Sequence, residues 1–250
     1  MKWRTLLLPV VAVLAFAPQA QSQTLIAQYF RCSTAYEDEA DFIMNEVFAD
    51  VYQSQVESGD LIGWGWVEHL TGGQWRRIAT MTAADLTTAW DAWGSVVDAI
   101  LDEHPNAWHR FNEICPSHDD YIWNLIGSSE NEDAGFTPDM WASSYWICDS
   151  NQESRADELL EQMVPVFDKH IAAGHISGWG WYGHVVGGRF RRLLTLSSAD
   201  DFNLLEGREM VVEELQAENP EVLEEFGDIC GGHVDYIWAN AGDTDDEDDD

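Results

Sequence analysis

Residues 59–81, GDLIGWGWVEHLTGGQWRRIATM, return at residues 174–196 as GHISGWGWYGHVVGGRFRRLLTL, with eleven identities in twenty-three positions. Unrelated segments of that length share about one or two, so the chain is an internal duplication. The match extends to Cys115, His118, Asp120, Tyr121, Ile122 and Trp123, which recur as Cys230, His233, Asp235, Tyr236, Ile237 and Trp238. Those pairs are 115 residues apart, whereas Cys32 and Cys148 are 116 apart, so one residue was gained or lost inside a copy.

Each copy reads strand, helix, strand, strand, helix, strand. Leu25 to Cys32 is a short apolar run suited to a strand, and Glu39 to Val56 carries apolar residues at helical spacing through Phe42, Val47, Val51 and Val56. Gly59 is placed to end that helix. In the second copy Pro165 is expected to kink or shorten its counterpart. Gly72-Gly73 and Gly187-Gly188 mark tight hairpins. Thr82 with Asp85, and Ser197 with Asp200, look like an N-cap and an acidic N3 residue opening the next helix. Pro105 and Pro220 should break that helix, leaving a short second piece before a last strand at Asp120–Ile126 or Asp235–Ala239. Residues 23–126 and 144–242 are thus read as two modules, with 127–143 as a polar linker.

The ends have their own signals. Lys2 and Arg4 precede an apolar run from Leu6 to Ala17 and a small polar segment, the order of a secretory signal peptide over residues 1–22. Twelve apolar residues are too few to span a bilayer, which needs about 20. Cleavage is expected after Ser22, giving an exported, periplasmic or extracellular protein. Removing residues 1–22 moves the formal charge from -34 to -36 and leaves Lys169 as the last lysine. The final eight residues, Asp243–Asp250, hold seven carboxylates and read as a disordered acidic tail. This charge disfavours nucleic acid and anionic lipid as partners. It suits cations, or a protein that works in concentrated salt.

The βαββαβ order is the ferredoxin-like unit, and its tandem repetition resembles the dimeric α/β-barrel superfamily. The resemblance implies two α+β modules packed sheet to sheet as an intrachain α/β barrel, a monomer with an internal pseudo-dimer. It also implies relatives with haem-binding, haem-degrading or cofactor-free monooxygenase activity. The Gly-x-x-Asp-Gly signature of dye-decolorising peroxidases is absent, because the chain contains no Asp-Gly pair. No cofactor is read from the residues themselves; haem or a metal ion is what the resemblance leaves open. His69 and His184 are candidates for axial ligands or general bases.

In this topology the end of the first strand lies beside the start of the fourth, so Cys32–Cys115 and Cys148–Cys230 are expected as disulfides, one per module. The alternative is a zinc or copper site from Cys115 and His118, or Cys230 and His233, with Cys32 or Cys148 as third ligand and Asp120 or Asp235 as candidates for a fourth.

Alternation about the glycine turn pairs Thr71 with Gln74, Leu70 with Trp75, His69 with Arg76 and Glu68 with Arg77. Trp64, Trp66, Trp75 and Arg77 then share one face, and His69, Arg76 and Ile78 the other. Trp179, Trp181, Phe190 and Arg192 repeat the first face, His184 and Arg191 the second. These tryptophans either fill the space between the sheets or under the helices, or form with the arginines a pocket for a flat or anionic small molecule. Trp64, Trp66, His69, Arg76, Arg77, Trp179, Trp181, His184, Arg191 and Arg192 are the candidate ligand-binding residues. Three function classes follow: an exported small-ligand-binding or interaction module, a barrel-type oxidative enzyme, and a cation-dependent surface or assembly protein.

Overall fold

The computed structural model describes residues 23–131 and 139–243. The leader expected over 1–22 and all of the acidic tail beyond Asp243 lie outside the described residues. The first copy runs β1 (Thr24–Arg31), α1 (Glu37–Ile43), a π-helical turn (Met44–Phe48), α2 (Ala49–Glu57), β2 (Gly63–Thr71), β3 (Arg77–Ala83), α3 (Leu86–Glu103), α4 (Pro105–Ile114) and β4 (Ser117–Glu130). The second runs β5 (Met140–Ile147), α5 (Glu153–Ala172), β6 (Gly178–Val186), β7 (Arg192–Ser198), α6 (Asp201–Glu218), α7 (Pro220–Ile229) and β8 (Gly232–Asp243). Both copies have the expected ferredoxin-like order.

The eight strands close into one antiparallel barrel in the order β1-β3-β2-β8-β5-β7-β6-β4. Within a copy the first strand is central, pairing with the third and the fourth. Between copies the last strand of each joins the second strand of the other, through β2–β8 and β4–β6. Two half-sheets therefore close each other's edges, which removes the unpaired strands that a single unit would expose. This seam also explains why β4 runs to Glu130, inside the stretch read as a linker: residues 127–130 pair with Gly178–Trp181.

Helices cover the outer surface, so β1 and β5 are buried on both faces and show no apolar–polar alternation, although Gln28 and the Ser143-Ser144 pair interrupt their apolar residues. Three clusters form the core, one under the helices of each copy and one inside the barrel. The disulfides Cys32–Cys115 and Cys148–Cys230 tie the end of the first strand to the start of the fourth in each copy.

Several local expectations change. The odd residue between the copies sits in the first, where the chain makes a π-helical turn at Met44–Phe48, the way a helix absorbs a single insertion. The second copy, despite Pro165, keeps α5 unbroken over twenty residues. Thr82 lies within β3, and Asp85 itself caps α3 by accepting from the Thr88 backbone N–H, as Asp200 does from Asn203 for α6.

The hairpins also differ. Glu68 faces Arg77 as expected, but Thr71 pairs with Ile237 of β8, and Trp75 and Phe190 turn into the barrel instead of joining the outer face. The cause is a contact between copies. Gly72, at φ +138°, lies against Tyr236, and Gly187, at φ +142°, lies against Tyr121; a Cβ would come within 2.6 and 2.4 Å of those rings. Each tyrosine hydroxyl accepts backbone N–H groups just beyond the turn, at 2.9 Å for Gln74 to Tyr236.

Candidate functional site

The residues that repeat most faithfully form a charged lattice between barrel and helices. Trp66 donates through its indole N–H to Asp41 of α1 at 2.8 Å, and Arg77 makes two further bonds to Asp41, both 2.6 Å. Trp181 and Arg192 reach Asp157 of α5 in the same way, at 2.8 Å and at 2.7 and 2.8 Å. Arg77 and Arg192 are buried, and Glu37 and Glu153 complete their ion pairs. Trp64 donates to Gln53 and Trp179 to Asp168, each packed on a helix aromatic, Tyr52 or Phe167.

Arg76 bonds Glu37 and the Nδ1 of His69; Arg191 bonds Glu153 and the Nδ1 of His184. A guanidinium can only donate, so each Nδ1 is the bare nitrogen and each Nε2 carries the proton. Both Nε2 atoms are buried without partners, and the rings stand edge-on to Tyr236 and Trp238 or to Tyr121 and Trp123. Burial, then the adjacent arginine, pulls both imidazoles below their ordinary pKa. They are neutral, with one nitrogen engaged and the other walled in. Of the ten candidate residues, Trp64 and Trp179 line one cavity described below and Trp181 lines another; the remaining seven are held in the lattice.

The cysteine sulfurs are joined in pairs, which leaves no thiolate for the alternative metal site. His118 bonds Asp120 at 2.7 Å, and that bond raises its pKa. Among the described residues, no group of three or more His, Cys, Asp or Glu converges to hold a metal ion.

Beside a wide cleft of about 980 Å³ at the hairpin turns, lined by Trp75, His118, Asp119 and Tyr121 among others, two cavities reach into the protein. One, of about 340 Å³, occupies the open end of the barrel. The other, of about 290 Å³, lies between the sheet of the second copy and its helices. The second cavity is legible only by comparing the copies, because it arises where they differ. Ala142, Leu223 and Arg208 line it, where the first copy has Ile26, Trp108 and Trp93, packed into the corresponding core. Ser144 replaces Gln28, Gln216 replaces Leu101, and Trp146 replaces Phe30. Most of the changes remove bulk, and Ser144, Arg208 and Gln216 place polar groups there, while Trp146 is larger than the Phe30 it replaces. Ser144 donates to Asp235 at 2.6 Å, and Arg208 pairs with the other oxygen of Asp235 at 2.9 Å, so this end of the cavity is polar but close to neutral. Trp146 lines the cavity, and its indole N–H is buried without a partner. Trp93 also has an unpartnered N–H, but its ring fills the space that Arg208 leaves open.

Attention to shared motifs led away from this site. Gly-Trp-Gly-Trp and Arg-Arg repeat because each copy needs the same lattice, whereas the paired differences were the available signal.

No protein-family model matches the chain, and no curated protein sequence matches it. Solved structures do. A mutant chlorite dismutase from Candidatus Nitrospira defluvii is similar over 89% of this chain and 93% of its own, at 9% identity and a TM-score of 0.57. An anthrone oxidase-like protein aligns over 89% of this chain and 92% of its own, at 8% identity and a TM-score of 0.56. A protein from Lactobacillus acidophilus NCFM, provisionally assigned as a monooxygenase, aligns over 89% and 96%, at 6% identity and a TM-score of 0.56. At these identities the likeness establishes the fold: the chain has the dimeric α/β-barrel architecture, completed within a single polypeptide.

Proposed function

We propose that the protein binds a small apolar molecule bearing one hydrogen-bond acceptor, under the helices of its second copy. The observation that carries this is a cavity lined by Leu160, Met163, Leu194, Phe226 and Trp146, whose buried indole N–H is unpartnered. An indole N–H without an acceptor costs about 1–3 kcal/mol, and a void also destabilises in proportion to its volume. A ligand with aliphatic bulk and one carbonyl or ether oxygen offsets both. The paired charges of Arg208 and Asp235 favour a neutral molecule over an anion.

Haem, which the fold family raises, does not fit the barrel cavity or the one under the helices. Among the described residues the barrel cavity has no His, Cys or Met on its wall, and its tyrosines are held protonated by burial. The cavity under the helices is at the lower limit for drug-sized ligands, about 300 Å³, and its one histidine, His233, packs against Trp146 with ring centroids 4.2 Å apart. No oxidative step is derived through haem, and ligand binding is the reading retained.

Calorimetric titration with 2-octanone tests the site. Binding is expected in the native protein and lost in Ala142→Ile/Leu223→Trp, which installs the first copy's side chains in a fold that already accepts them. Undiminished affinity in that variant contradicts the reading. Export belongs to the same proposal: two disulfides suit an oxidising compartment, and among the described residues no helix is long and apolar enough to cross a membrane. A mature N-terminus at Gln23, by intact-mass measurement of protein from its host, supports it; retention of residues 1–22 refutes it.

A further inference from the structure

We propose that the open end of the barrel is a second, separate ligand site, for a small planar neutral molecule. It does not depend on the site under the helices. The barrel is stoppered at one end by an aromatic plug, in which Trp75 stacks on Tyr236 with centroids 5.1 Å apart and packs edge-on to Tyr145 and Phe190. The other half of the interior is open space of about 340 Å³. With a water occupying about 30 Å³, that is room for roughly ten waters, or for a one- or two-ring molecule.

The glycines of the two Gly-Trp-Gly-Trp motifs help to make this space. Gly65 and Gly180 point into it, and a Cβ at either would come within 3.0 or 2.8 Å of a threonine hydroxyl, Thr80 or Thr195. Those hydroxyls donate back to the Gly65 and Gly180 carbonyls, so their protons are committed.

The polar groups of the wall are engaged with one another: Tyr145 meets Tyr29, Ser143 and Trp238, and Tyr182 meets Thr195. Trp238 is 1% exposed, and its ring lines the cavity. Tyr29, Tyr145 and Tyr182 line the same space, and burial, the largest influence on each, raises their pKa so that all three stay protonated. Aromatic faces and edges form the walls, which suits a flat ring. Charge narrows the class further. Among the described residues, no Lys, Arg or His lines the cavity, and the one carboxylate there is Glu130. An anion would be desolvated with nothing to pair it, so the ligand is uncharged.

Coumarin is the probe: flat, bicyclic, neutral, with a carbonyl acceptor. Calorimetry on the intact disulfide-bonded protein should show a single molecule bound per chain. Ser143→Leu projects bulk into the cavity and should abolish binding; near-ultraviolet circular dichroism checks that the variant keeps its packing. In the native protein, the Trp238 indole proton should shift as coumarin packs beside its ring. Ala142→Ile/Leu223→Trp should leave coumarin affinity unchanged, which separates this site from the other. Coumarin-3-carboxylate, with a charge, should bind more weakly. The proposal is overturned if coumarin fails to bind, if Ser143→Leu binds it as the native protein does, or if the carboxylate binds as tightly.

Discussion

Arg77→Ala should be one of the most damaging single substitutions in the chain while leaving ligand affinity intact. Arg77 is 3% exposed, makes two 2.6 Å bonds to Asp41, and donates to the Arg76 carbonyl at 2.9 Å. Removing it strands Asp41, and through it loosens the shared bond from the Trp66 indole. Breaking one side of a buried ion pair typically costs about 3–5 kcal/mol. Asp41 keeps some solvent contact, its side chain being 23% exposed, so the lower part of that range, about 3 kcal/mol, is expected. The control is Arg155→Ala. That arginine pairs with Glu158 and Glu225 at the surface, and its loss should cost less than about 1 kcal/mol. Urea unfolding followed by tryptophan fluorescence measures both, and an unchanged m-value confirms that stability alone has moved. A cycle with Asp41→Asn should recover most of the loss as coupling between the pair. If Arg77→Ala costs no more than Arg155→Ala, the lattice does not bear the load assigned to it. If it instead abolishes binding of 2-octanone or coumarin in protein that remains folded, Arg77 belongs to a site after all.

Stability should fall with pH in two stages. Burial and the neighbouring arginines depress the pKa of His69 and His184, so the unfolded chain takes up protons first and stability drops as pH falls below about 6.5. Glu37 is held low chiefly by its bond from Arg76; at Glu153 burial pushes upward but the bonds from Arg191 and Arg192 outweigh it, so a further loss follows below about 4.3. Unfolding in high salt, which screens the net charge, should show the first stage in the native protein and a flatter profile in His69→Asn/His184→Asn; identical profiles refute the assignment. Reducing Cys148–Cys230 opens a loop 82 residues in separation and should lower stability by about 2–4 kcal/mol in denaturant titration, with no change counting against a structural role. Gly187→Ala forces a side chain onto Tyr121 at a positive φ and should destabilise by more than about 1 kcal/mol, while Gly227→Ala, in open space on α7, should not.

Much of the fold was legible because its evidence is repeated. Element order, the breaks at Pro105 and Pro220, the cysteine pairing and the barrel all follow from periodicity read twice. What escaped depends on contacts between the copies or on accommodation within one. Alternation put Trp75 beside Trp64, but the turn settles on Tyr236 of the other copy and swings Trp75 inward. The one-residue offset was visible, yet its place in a π-helical turn was not, since nothing local distinguishes Met44–Phe48 from an ordinary helix. The site under the helices escaped for the opposite reason. Ala142, Trp146, Arg208 and Leu223 are unremarkable alone and gain meaning only beside Ile26, Phe30, Trp93 and Trp108, once both sets are known to occupy equivalent places.

The most direct test follows the indole protons of ¹⁵N-labelled protein during titration with 2-octanone, with Trp146 assigned through Trp146→Phe. The account predicts that the Trp146 signal moves downfield and saturates while those of Trp93 and Trp108 stay in place. A Trp146 signal that stays put as the ketone binds, or fails to bind, contradicts it.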